Sequence, residues 1–103
     1  MDPTRELPIP EQALTDEQGF ELARVWVANR AQHVSLRTEV WKDPATWGIM
    51  LVDLARHVAR AYAQIEGRDQ HEALDAIRQG MLAEFAKLTS KATGHVRTGR
   101  KGG

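Results

Sequence analysis

Cysteine is absent from the 103 residues. That excludes disulfides, thiolate metal sites and a cysteine nucleophile, and it is the usage of a reducing compartment, so the expected location is cytoplasmic. Serine occurs only as Ser35 and Ser90. Neither sits in a Gly-x-Ser-x-Gly elbow or has a base placed by spacing. The four histidines show no His-Glu-x-x-His or other ligand spacing, and no metal site is expected. Gly19, Gly48, Gly67 and Gly80 are too dispersed for a phosphate cradle, and the glycines after residue 90 follow no strand. No apolar run approaches the roughly 20 residues of a membrane span. The opening MDPTRELPIPEQ is polar and proline-rich, without the apolar segment of a secretory signal. No catalytic residue and no cofactor is therefore assigned, and no membrane partner is expected.

What is present is a single domain's worth of chain with 42% hydrophobic residues, the composition of a folded protein with one modest core. Charges balance at fourteen of each sign, but they are unevenly placed. Residues 1–84 hold all fourteen acids and nine of the cations, whereas 85–103 hold Lys87, Lys91, Arg97, Arg100 and Lys101 with no acid.

Three prolines make residues 1–12 an extended arm, with Leu7 and Ile9 placed to lie on the body as an apolar strap. Thr15-Asp16-Glu17-Gln18 has the form of a capping box, which predicts a short helix from about residue 16. Residues 24–37, RVWVANRAQHVSLR, favour a β-hairpin over a helix end followed by a lone strand, because a lone strand leaves its backbone groups unpaired. With Asn29–Gln32 as the loop, Ala28 faces His33, Val27 faces Val34 and Val25 faces Leu36. The four apolar members Val25, Val27, Val34 and Leu36 then point inward, and Trp26 lies on the opposite face.

The strongest helix follows. Asp43 is a good N-cap, Pro44 suits the first helical position, and Gly67 marks the end. Trp47, Met50, Leu51, Leu54, Val58, Ala61, Tyr62 and Ile65 form a core stripe at helical spacing. Gly48, Val52, Ala55, Ala59 and Ala63 form a second, small-residue face beside it. A surface helix needs an apolar sector of only about 100°. The excess makes the small-residue face a candidate for self-association. Asp43 and Pro44 start the helix between Trp41 and Trp47, so WKDPATWG reads as a scaffold joint, Trp41 folding back as a hydrophobic staple does. Asp69-Gln70-His71-Glu72 starts a further helix with the stripe Leu74, Ile77, Met81, Phe85 and Leu88, antiparallel to the first after a short turn. Gly80 inside it predicts a close helix crossing. From Thr89 the periodicity stops, which predicts a disordered basic tail over 89–103. The expected fold is a small α+β domain over 13–88, a hairpin packed against two antiparallel helices.

The candidate chemistry is thin. Asp53 and His57, at i and i+4, can meet on the long helix as half of a general-base unit or metal site. Between Arg56 and Arg60, a surface ion pair is the plainer reading. Trp26, with His33 near the loop, is a candidate ligand or interface residue unless the arm or a helix covers it. Lys91, Arg97, Arg100 and Lys101 could make a weak, salt-sensitive nucleic-acid contact, but without interleaved aromatics a solubilising tail is the better expectation.

The runs LPIP, RVWVA…QHVSLR, W.DPATWGIMLVDLARHVARAYA and EGRD…L..IR.G…E resemble a family of short bacterial, mainly proteobacterial, proteins. The family is known only as a domain of unknown function, number 5076. The resemblance covers about Leu7 to Glu84. It is most specific in Trp47-Gly48-Ile49-Met50-Leu51-Val52-Asp53-Leu54-Ala55-Arg56-His57. The family's hairpin loop often contains glycine, where this chain has Asn29-Arg30-Ala31-Gln32. With no activity assigned to the family, the resemblance implies no site residues. The expectation is a non-enzymatic interaction or regulatory module that forms a homo-oligomer, a dimer, through the small-residue face of the long helix or the edge of the hairpin. A small-molecule binder or enzyme using Trp26, Asp53 and His57, and a nucleic-acid accessory protein using the tail, are the alternatives.

Overall fold

The computed structural model describes residues 5–96, with side chains through Thr89. The chain forms two compact units, Met1–Lys42 and Asp43–Gly103. The first contains helix α1 (Glu11–Thr15), strands β1 (Ala23–Ala28) and β2 (Ala31–Leu36), and a 3-10 turn over Thr38–Val40. The second contains helices α2 (Ala45–Glu66) and α3 (Gln70–Val96). The fold is α+β, with one antiparallel hairpin and two long helices.

The short first helix begins earlier than its sequence signal predicts. Pro10 opens it, its carbonyl accepting from the N–H groups of Ala13 and Leu14, so the helix occupies the last two residues of the expected arm. The Thr15–Gln18 pattern instead ends the helix. Thr15 Oγ1 donates back to the Gln12 carbonyl at 3.2 Å, and Asp16 Oδ1 accepts from the Gln18 N–H at 2.9 Å. Both side chains are engaged in local turns, the use of Ser, Thr and Asp that competes with helix capping.

The hairpin is present, but its register differs. Asn29 and Arg30 alone form the turn, with φ of 52° and 62°, and Ala28 pairs with Ala31, Trp26 with His33, and Val25 with Val34. Two successive left-handed residues match the twist of the flanking strands better than an open loop and allow one more pair in the ladder. The register moves by two residues, so the faces keep their composition. Val25, Val27, Val34 and Leu36 do share a face. They do not form a core, however: Val27 is 80% exposed, and the other three are also open to solvent.

Both long helices start, and α2 stops, as their caps predict. Asp43 Oδ1 accepts from the Ala45 N–H at 2.9 Å, and Asp69 Oδ1 from the Glu72 N–H at 3.0 Å. Gly67 takes the left-handed conformation at φ 69° and closes α2 with a bond to the Ala63 carbonyl. The three-residue link to α3 turns the chain back, and the two helices pack against each other. α3 runs on to Val96, past the expected end at Leu88, so the helix takes in the first part of what the sequence reads as a disordered tail. Residues 97–103 lie outside the described residues.

Ala59 is fully enclosed and Ala73 is 5% exposed, and these are the buried hydrophobic side chains of the described residues. The helix contact therefore uses the small-residue face of α2, where Ala55 and Ala63 are half-buried beside Ala59. In the stripe expected to be the core, Trp47, Met50 and Ala61 are half-buried, while Leu51, Leu54, Val58, Tyr62 and Ile65 are exposed. Small side chains let two helix backbones approach closely, and this geometry selects them for the inner contact. Gly80 does not mark a tight crossing, since a Cβ built on it meets nothing within 4 Å.

Candidate functional site

The hairpin brings Trp26 and His33 directly opposite each other. His33 is a strand residue, not a loop residue, and its Nε2 donates to the Ala28 carbonyl at 3.0 Å, which requires a proton on that nitrogen. Trp26 is half-buried, with the Arg5 guanidinium 5.7 Å from its ring centroid. Beside it, Arg24 bridges Glu6 at 3.2 Å and Glu21 at 3.1 Å. The hydrogen bond to Glu21, with the charge of the same carboxylate, raises the Arg24 pKa above its already high ordinary value. The N-terminal arm thus reaches the Trp26 face through Arg5 and Glu6. Leu7 and Ile9, the expected strap, are exposed.

An open cleft lies at the base of the hairpin, lined in part by Glu21, Arg24, Ser35, Arg37 and Glu39. Its cations are engaged by acids. Arg24 is held by Glu6 and Glu21, and Arg37 lies 3.7 Å from Glu39 and donates to the Glu21 carbonyl. Arg37 also stacks 5.5 Å over Phe20. The cleft is a balanced polar surface without a surplus of either charge to select an ion.

On α2, Asp53 Oδ2 and His57 Nε2 stand 3.4 Å apart, with both side chains mostly exposed. They do meet, as their spacing predicts, but on open surface. A pair exposed in this way is worth little energetically and has no wall to orient a substrate. Of the candidate interface residues on the same helix, Gly48 and Val52 are exposed, whereas Ala59 has no surface left for a second subunit. Lys91 lies within α3; Arg97, Arg100 and Lys101 lie outside the described residues. Among the described residues, no group of three or more His, Asp or Glu side chains could hold a metal ion, and no helix is long and apolar enough to cross a membrane.

The feature that sequence reasoning assigned wrongly is the large apolar stripe. Leu54 is 50% exposed and Ile65 is 81% exposed on α2, and Phe85 is 60% exposed on α3. The available signal was the alanine run on α2. A face of alanines is the one that another helix can approach most closely, which leaves the bulky stripe for something else.

Three comparisons bear on this chain. The model of the family described as Domain of unknown function (DUF5076) matches residues 6–89. A solved structure from the photosynthetic bacterium Rhodopseudomonas palustrus, provisionally named a pyruvate dehydrogenase, is similar at 32% identity and a TM-score of 0.63. The similarity covers 82% of this chain and 86% of that one. No curated protein matches.

Proposed function

The chain belongs to the family defined by this domain of unknown function, and we propose that it is a small cytoplasmic, non-enzymatic interaction module that self-associates. One observation carries this reading. No large side chain among the described residues is fully buried, and the buried hydrophobic ones are two alanines. Burying a Leu, Ile or Phe contributes roughly 1.5–3 kcal/mol each. A chain that leaves so many of them in water lacks the core that offsets its conformational entropy. A protein partner supplies the missing burial, and large exposed apolar patches mark such contacts.

Enzymatic readings have less support. The provisional name of the Rhodopseudomonas relative would suggest oxidation of pyruvate. Yet Asp53 and His57 face solvent, and the hairpin cleft has its charges already paired. Light scattering and sedimentation equilibrium of the full chain over a wide concentration range test the proposal. The expected result is an oligomer that dissociates only on strong dilution. A monomer at every concentration, unfolding cooperatively with high stability, would sink it.

A further inference from the structure

We propose that the apolar stripe of α2 and α3 is the surface on which a second copy of this chain docks, so that two helical hairpins close into a four-helix bundle. This rests on the self-association reading and specifies its surface. On α2, Leu51, Leu54, Val58 and Ile65 recur at spacings of 3, 4 and 7, and on α3 Met81, Phe85 and Leu88 recur at 4 and 3. That is the seam pattern of a bundle helix, and no charged residue interrupts it at these positions.

Each helix of a four-helix bundle must offer two apolar sectors, one to its neighbour in the chain and one across the bundle. α2 has both. The alanine sector around the enclosed Ala59 serves the contact with α3, and the bulky sector beside it stays exposed. From their fractional exposures, and taking about 200 Å² for a fully exposed large side chain, the exposed members, with Tyr62, leave on the order of 800 Å² open. That is about what each partner contributes to a standard interface, and more than the 300–600 Å² typical of the largest patch on a monomer. The valine face of the hairpin has four comparable residues and offers roughly half as much on the same basis.

The occupant follows from the missing core. A hairpin of helices whose buried hydrophobic side chains, among the described residues, are two alanines needs a cover for the rest whenever it is folded. A second copy is present at equal amount by definition, and a two-fold contact gives each chain the same burial it receives. Such chains often have no stable folded monomer.

The test uses the full chain and two kinds of variant. Leu54→Glu and Phe85→Glu are expected to weaken the dimer at least about 100-fold by sedimentation, since a charge would be left in a desolvated contact. Val27→Glu, on the hairpin face, is expected to leave it unchanged. Because a charged variant could also unfold, a second measurement uses the absence of native cysteine. In Val58→Cys, thiol labelling is expected to be slowed at least tenfold in the concentrated protein and restored on dilution, whereas Arg56→Cys labels equally fast at both concentrations. A wild-type dimer broken by Val27→Glu but not by the stripe variants would overturn this interface and leave self-association standing. So would a dimer in which Val58→Cys labels freely. A wild-type monomer would overturn both.

Discussion

Ala59 of α2 and Ala73 of α3 are the buried hydrophobic side chains among the described residues, one from each helix. Both are as small as a side chain with a Cβ can be, and Ala59 has no exposed surface toward which a larger side chain could grow. Ala59→Leu is expected to force the helices apart and to destabilise the chain by about 1–3 kcal/mol, the usual effect of overpacking. Urea denaturation followed by helical circular dichroism measures it. An unchanged midpoint would mean that Ala59 is not at a tight contact.

The hairpin turn carries strain at Arg30. Its φ of 62° lies in the left-handed region, which costs a side-chain-bearing residue roughly 1 kcal/mol or more, while Asn29 tolerates the same region better. Arg30→Gly is expected to raise stability by about 1 kcal/mol. Arg30→Pro, whose ring holds φ near −65°, should abolish the hairpin. The thermal midpoint and the cross-strand contacts seen by nuclear magnetic resonance report on each.

Two glycines should respond with opposite sign to the same substitution. Gly67→Ala must place a Cβ at φ 69° and is expected to cost about 1 kcal/mol. Gly80→Ala adds a methyl where nothing lies within 4 Å and is expected to stabilise α3 by up to about 1 kcal/mol. Paired denaturation curves give both signs. A destabilising Gly80→Ala would indicate that something approaches this position closely in the assembled protein.

The helix starts depend on two aspartates. Asp43→Ala and Asp69→Ala each remove a side-chain acceptor from an N-terminal N–H group and should each cost about 1 kcal/mol, whereas Asn at either position should retain most of the stability. Helical signal against urea concentration distinguishes the two substitutions.

His57→Ala removes one partner of an exposed pair. The expected loss is within about 0.5 kcal/mol, with no change in oligomeric state. A large loss would show that the pair is covered in the assembly and would reopen its functional reading.

Local features were legible in the sequence because their causes are local. Asp43, Asp69 and Gly67 cap where their chemistry requires. The alternation of Val25, Trp26 and Val27 against Val34 and Leu36 identifies a hairpin and its two faces. The register was missed because a two-residue turn with Arg30 at positive φ lacks the glycine that signals it, and only the added Ala28–Ala31 pair reveals it. The Thr15–Gln18 pattern was misread because the same side chains that cap a helix also close turns.

Which face of α2 lies inward was decided by tertiary structure. Periodicity shows that two sectors of the helix are apolar, but it ranks them by hydrophobicity, and on that scale the Leu51, Leu54 and Val58 stripe leads. Packing ranks them by how near a second helix can come, and on that measure the alanines of the Ala59 sector win. The sequence by itself determined where the two long helices begin, where α2 ends and which residues share a face of the hairpin. The tertiary structure decided that the bulky side chains remain in water in a single chain, because the closest helix contact consumed the small ones.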